Sequence, residues 1–318
     1  MTYSQPINDL ITAIENKTNH HIKVQVNAQS FPYIRNEQSN YYRAANGDDV
    51  IVINNQAASE YLLAHELLHL WMNVSAYPQL QFNLVTGLDA GSDRLLKNIA
   101  TLLYENVTHV TIHQQQVAMG VWDDRCQQMY LAGFDKTIMQ KENDNPQVLV
   151  FQILNILDAL IILGENHPVF AKWQVSHPDA YRYAQTLLTI LQSKDTATPF
   201  ALRRMVVRIF AAFERILTDE IHLPNLAIRE FATLTPVLSA RQMRLQTAQV
   251  FKIVPSAFEN MQTKKQAYVG LGASDQQNAF VLPINPQNIA SINDYLDRLN
   301  QQPVMQMLTK YHFNFLQR

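Results

Sequence analysis

The stretch from Asp49 to Trp71 restricts the possible folds most, because it combines a short apolar strand with a long helix. Residues 49–54 are rich in Val and Ile and predict a short buried strand. Asn55 can cap the helix that follows, and no glycine or proline interrupts the chain between Asn55 and Pro78. The N-terminal third is therefore predicted to be a small α/β unit whose sheet lies behind this helix.

Five consecutive residues of that helix, His65-Glu66-Leu67-Leu68-His69, have the side chains of a catalytic metal site. Side chains four positions apart project from the same face of a helix, so His65 and His69 can both reach one metal ion. Imidazole nitrogens bind Zn²⁺ at about 2.0–2.1 Å. Glu66 points beside such a metal and can take a proton from a metal-bound water. The alternative is a helix whose histidines have ordinary hydrogen-bond partners and bind no metal.

This HExxH pattern resembles the signature of the zincin metallopeptidases, and the resemblance covers about residues 50–115 of the 318. A strand shortly before the metal-binding helix is also an arrangement that zincins use. The resemblance implies one Zn²⁺ per chain, held by three protein ligands, with an open position for water. It further implies a peptidase that hydrolyses a peptide or protein substrate with Glu66 as general base.

The third ligand is expected on the next long helix, where apolar residues recur at helical spacing over residues 93–120. Glu105 lies in the middle of that helix, 36 positions after His69 (105 − 69). Gluzincins supply a glutamate ligand from such a place, so the resemblance is gluzincin-like. The metzincin pattern is excluded, because Met72 and Ser75 occupy the places of its glycine and third histidine.

Two further residues are open alternatives for the third ligand. His109 follows Glu105 by four residues, a place where thermolysin-like gluzincins have an aspartate that orients the first motif histidine. His109 could therefore support the site, or could itself bind zinc while Glu105 supports it. Asp89 resembles the aspartate ligand of aspzincins only loosely, because the neighbouring glycine and threonine stand in reversed order. We expect Glu105 to be the ligand.

Composition limits the partners and the compartment. A formal net charge of −2 offers no basic surface for nucleic acid. The most apolar stretch, residues 148–163, is interrupted by Gln152, Asn155 and Asp158, which favours a buried helix over a membrane span. Cys126 is the single cysteine and no secretory signal pattern is visible, so a cytoplasmic location is expected.

The pattern along the whole chain predicts a mainly α-helical (α+β) fold. We expect a zincin-like α/β metal-binding unit over residues 1–125, a helical region over 126–263 and a C-terminal α/β segment over 264–318. Within the helical region, a helical run over residues 225–260 is predicted, with breaks near Pro236 and Pro255. The oligomeric state is not predicted.

Two other functions fit the same motif. The first is a non-catalytic zincin-like protein that acts as a binding or regulatory module, although an intact Glu66 argues against it. The second is a purely structural zinc site, which predicts a fourth protein ligand in place of water. His109 is the obvious candidate for that fourth ligand.

Overall fold

The computed structural model describes residues 3–138, 145–286 and 289–318. In chain order its α-helices are α1 (Gln5–Thr18), α2 (Ser59–Val74), α3 (Ala90–Ala118), α4 (Asp124–Thr137), α5 (Pro146–Leu163), α6 (Val169–Ser176), α7 (Pro178–Gln192), α8 (Pro199–Arg215), α9 (Ile228–Phe231), α10 (Ala240–Arg244), α11 (Thr247–Val250), α12 (Ile292–Gln301) and α13 (Val304–Lys310). Its strands are β1 (Ile22–Val26), β2 (Ser39–Arg43), β3 (Asp49–Ile53), β4 (Leu80–Gln81), β5 (Leu84–Val85), β6 (Thr233–Leu234), β7 (Val237–Leu238), β8 (Phe251–Asn260), β9 (Gln266–Gly272), β10 (Asn278–Val281) and β11 (Leu316–Gln317). The predicted mainly α-helical (α+β) fold is confirmed.

The contacts divide the chain into two compact units. Unit 1 comprises Met1–Ala76 and Thr108–Leu188, and unit 2 comprises Tyr77–Val107 and Thr189–Arg318. The boundaries predicted at residues 125 and 263 stay predictions. Each unit contains segments that are distant in sequence, because the chain leaves unit 1 after Ala76 and returns to it within α3.

Unit 1 is built on a three-stranded sheet with the order β1-β3-β2. The central strand β3 pairs in parallel with β1 and antiparallel with β2. A strand paired on both sides and covered by helices can be apolar throughout, which explains its run of Val and Ile. Ile51 and Ile53 share one core with Leu63 and Leu67 of α2, and all four are fully buried. The predicted strand and the HExxH helix are therefore both present, with the sheet packed against the helix.

Helix α5 is the most apolar helix of unit 1. The side chain of Asn145 accepts a hydrogen bond from the Gln147 backbone N–H, and Pro146 takes the first helical position, so the N-terminus is well capped. Among the described helices, only α5 is long and apolar enough to cross a membrane by length and composition, and half of it is buried in the protein. Ile153 and Leu157 are fully buried, as expected for a core helix.

Unit 2 contains a four-stranded antiparallel sheet with the order β10-β9-β8-β5. The helical run predicted for residues 225–260 is wrong at its C-terminal end, where the ten-residue strand β8 occurs. Pairing with β9 decides this, for example Ile253 with Gly270 and Val254 with Val269. The β-branched residues of β8 suit a sheet, and the short helices α9, α10 and α11 precede it.

Candidate metal centre

The two motif histidines lie on one face of α2, as their spacing requires. Their Nε2 atoms are 3.1 Å apart and their ring centroids 4.6 Å apart. The opposite side of this stretch of helix is apolar, and Ala64, Leu67 and Leu68 are buried in the core. Packing of that apolar face therefore directs both imidazoles towards the same point.

His109, on the part of α3 that belongs to unit 1, completes a group of three imidazoles. Its ring centroid lies 5.0 Å from that of His65 and 5.5 Å from that of His69. One nitrogen from each of the three rings lies within 4.8 Å of the other two. Within residues 3–138, 145–286 and 289–318, no fourth histidine, cysteine or carboxylate joins this group.

The other two ligand candidates from the sequence are not members of the group. Asp89 accepts hydrogen bonds from the backbone N–H groups of Gly91 (2.7 Å) and Ser92 (2.9 Å), and so caps the start of α3. Glu105 precedes His109 by one helical turn and belongs by its contacts to unit 2. The assignment of Glu105 as third ligand stays a prediction, and His109 is the alternative that the structure groups with the motif histidines.

The donor set fits a zinc ion. Two ligands of a tetrahedral zinc with Zn–N bonds of 2.0–2.1 Å are about 3.3 Å apart, close to the 3.1 Å between the motif Nε2 atoms. Burial lowers the pKa of His69 to about 3, with a further contribution from the charge of His109. Burial also holds the pKa of His65 well below its usual value. Both imidazoles are therefore neutral at pH 7, as metal ligands must be.

His109 is held in place by a carboxylate that the sequence analysis did not assign to the site. Its Nδ1 atom lies 2.6 Å from Oδ1 of Asp158, on helix α5. The hydroxyl of Tyr130 donates a hydrogen bond of 2.8 Å to Oδ2 of the same carboxylate. The one signal in the sequence is the interruption of an apolar stretch by Asp158, which by itself indicates only that the stretch does not span a membrane.

Glu66 is oriented by a residue of the neighbouring sheet. The Ser39 hydroxyl, at the start of β2, donates a hydrogen bond of 2.6 Å to Oε1 of Glu66. Burial raises the pKa of Glu66, while the hydrogen bond from Ser39 and the charge of His109 oppose that rise. No sequence pattern pointed to Ser39, because its role depends on the packing of β2 against α2.

A close backbone approach holds the segment that leads into β2. A Cβ atom on Gly133 of α4 would lie 1.7 Å from the carbonyl oxygen of Ile34, so only glycine fits there. The Ile34 backbone N–H also donates a 2.9 Å hydrogen bond to the carbonyl of Met129, one turn earlier on α4. These contacts fix the segment against α4 and help to place Ser39 beside Glu66.

No protein-family model, curated protein or solved structure matches this chain. Its function must therefore be inferred from the five-residue motif and the geometry of the site.

Proposed function

We propose that the chain is a zinc-dependent peptidase in which His65, His69 and His109 hold one Zn²⁺ and Glu66 is the general base. The observation that carries this proposal is the convergence of three imidazoles, one nitrogen of each within 4.8 Å of the others. Such a set differs from the two histidines and glutamate of gluzincins. The likeness to zincins is therefore limited to the helix with its HExxH motif.

A catalytic role is favoured over a structural one by the number of ligands. Structural zinc sites have four protein ligands, whereas catalytic sites have three and leave a position for water or substrate. In the part of the chain that the structure describes, His109 is the third member of the group and no fourth member is found. The intact Glu66 beside the group also favours catalysis, because a purely structural site has no need for a general base.

The surroundings of Glu66 suit a general base. When bound, zinc lowers the pKa of a coordinated water towards neutrality. Ser39 donates to Oε1 of Glu66, which leaves Oε2 to take a proton from a water and pass it to the leaving amine. The pKa of Glu66, raised mainly by burial, brings its basicity closer to the working pH.

Metal content is the first test. Elemental analysis of wild type is expected to give about one zinc per chain, with loss in His65→Ala and His109→Ala and retention in Glu105→Gln. Zinc retained in His109→Ala but lost in Glu105→Gln would restore Glu105 as the third ligand. Absence of zinc from wild type after incubation with zinc chloride would overturn the proposal.

Peptide cleavage is the second test, with a peptide library analysed by mass spectrometry. Zinc-loaded wild type should produce cleaved peptides, and Glu66→Gln should lose this activity while it keeps its zinc. Glu60→Gln is the matched control, because Glu60 lies on the same helix but accepts a hydrogen bond from the Ser4 backbone N–H. Zinc-loaded wild type that cleaves no peptide would favour the regulatory or structural alternatives.

A further inference from the structure

Asp158 is the single charged residue of helix α5, whose other side chains are apolar or neutral. A carboxylate in such a helix is costly to bury unless hydrogen bonds and a cation compensate it. The side chain of Asp158 is 26% exposed, so it is largely withdrawn from water. The groups around Asp158 should therefore show what balances its charge.

The partners of Asp158 converge on the metal centre. Oδ1 meets Nδ1 of His109 at 2.6 Å, and Oδ2 accepts the Tyr130 hydroxyl at 2.8 Å. Among the described residues, no arginine or lysine pairs with this carboxylate. One oxygen of the carboxylate therefore faces the imidazole cluster, and the other is held by Tyr130.

The Nδ1 atoms of His65 and His109 have different surroundings. Nδ1 of His65 is buried without a hydrogen-bond partner in the described part of the chain. That ring is positioned by packing, including a stacked contact with Tyr61 at 6.5 Å between centroids. His109 instead has Nδ1 bound to a carboxylate. A proton on Nδ1 leaves the lone pair of Nε2 available to a metal. The carboxylate that accepts this proton's hydrogen bond also makes Nε2 a stronger metal ligand.

The net charge of the three-histidine site also indicates that Asp158 acts on the metal centre. Three neutral imidazoles bring no negative charge to a divalent cation, whereas a glutamate ligand would bring one. Asp158 lies directly behind His109 and can supply that charge through the imidazole. Glu66 is the other carboxylate beside the histidines, and its Oε1 already accepts the Ser39 hydroxyl at 2.6 Å.

We propose that Asp158 is a positioning residue of the metal centre, which holds His109 as its Nδ1-protonated tautomer and supplies the counter-charge for a divalent cation. Tyr130 fixes the carboxylate in turn. The inference rests on the proposed zinc site but not on peptidase activity. It concerns how the ring of His109, the proposed third ligand, is oriented and protonated for metal binding.

Zinc affinity measured by competition with a chromophoric chelator tests the proposal. Asp158→Asn, which removes the charge and keeps the shape, should bind zinc about 10–100-fold more weakly than wild type. Asp135→Asn is the control, since Asp135 is an exposed carboxylate of the same unit, 3.6 Å from Lys172. It should bind zinc like wild type. Wild-type zinc affinity in Asp158→Asn would overturn the proposal.

The tautomer of His109 gives a readout that needs no metal and no activity. Two-bond ¹H–¹⁵N spectra of metal-free wild type should show His109 protonated on Nδ1, and Asp158→Asn should shift it towards a mixture of tautomers. An Nε2-protonated His109 in wild type would overturn the inference even if zinc binds. Conversely, wild type that binds zinc with the expected tautomer but cleaves no peptide would overturn only the peptidase proposal.

Discussion

Two aspartates of unit 1, Asp49 and Asp158, have similar partners but different surroundings. Asp49 accepts a hydrogen bond of 2.7 Å from the Tyr41 hydroxyl and lies 3.5 Å from Nδ1 of His20. Asp158 likewise has a tyrosine and a histidine as partners. Each therefore has one phenol and one imidazole.

The difference lies in the cation. Asp49, on β3, has no exposed side-chain surface and is bound by the guanidinium of Arg43, with Nε at 2.9 Å and Nη2 at 3.3 Å. Asp158 is bound instead by an imidazole whose neighbours are two more imidazoles. The charge of Asp49 is thus balanced within the sheet. In the proposed site the balance for Asp158 would come from a bound metal, so we expect Asp49 to contribute to stability and Asp158 to metal binding.

The largest expected effect is the stabilisation of unit 1 by zinc. At a free zinc concentration 1,000 times its Kd, binding raises the free energy of unfolding by about 4 kcal/mol. We expect Asp49→Asn to keep this zinc-dependent rise in the free energy of unfolding. Asp158→Asn should lose about 1.4–2.7 kcal/mol of the rise, which corresponds to a 10–100-fold loss of zinc affinity. His109→Ala should lose nearly all of it. Tryptophan fluorescence in urea reports on unit 1 alone, because all three tryptophans of the chain belong to it.

If Asp49→Asn and Asp158→Asn lose the same part of the stabilisation by zinc, the two carboxylates do not have different roles. The metal-free proteins should be compared in the same titration, so that any loss of folding is separated from a loss of zinc binding.

Asp49→Asn should lower the stability of unit 1 by about 2 kcal/mol, the order expected when a charge-assisted hydrogen bond of a buried group is lost. The value is not larger because the side chain of Arg43 is 49% exposed and can return to water. The loss should be the same with zinc and with a chelator. A loss that appears only when zinc is present would place Asp49 in the metal centre instead.

Acid should reveal the same ion pair in the metal-free protein. Burial acts to raise the pKa of Asp49, but Arg43 and Tyr41 outweigh it, and the folded-state pKa is lowered. The stabilisation is then fully present above the unfolded pKa of about 3.9 and is lost as the pH falls through the lower folded value. Urea titrations from about pH 6 to about pH 2, which extend below the unfolded pKa, should show wild type converging on Asp49→Asn at the acid end. A constant difference between them would contradict the assignment.

The smallest effects are expected from the two tyrosine hydroxyls. Tyr41→Phe and Tyr130→Phe should each lower the stability of unit 1 by about 1 kcal/mol, the loss of one hydrogen bond. Only Tyr130→Phe should also weaken zinc binding, and by less than Asp158→Asn, because the carboxylate keeps its charge and its bond to His109. Equal zinc affinities in the two variants would show that Tyr130 does not help to position Asp158.

Several parts of the fold follow from local pattern. The apolar run over residues 49–54 and the uninterrupted stretch after it predicted a strand followed by a helix, and the structure has β3 at Asp49–Ile53 and α2 at Ser59–Val74. Asn55 does act as a cap, although its side chain caps the short 3₁₀ turn Gln56–Ala58 that leads into α2. The strand β8 was missed, because its apolar residues did not separate a helical from an extended period and its pairing with β9 is a longer-range interaction.

The sequence by itself determined that His65 and His69 share a helix face with Glu66 beside them, since a spacing of four residues is sufficient for that. Only the tertiary structure placed His109 in the group, with Asp158 behind it 49 positions along the chain and Ser39 against Glu66 27 positions away. Helical period relates residues within one or two turns. Contacts between elements depend instead on how α2, α3, α5 and β2 pack, and no local pattern specifies that packing.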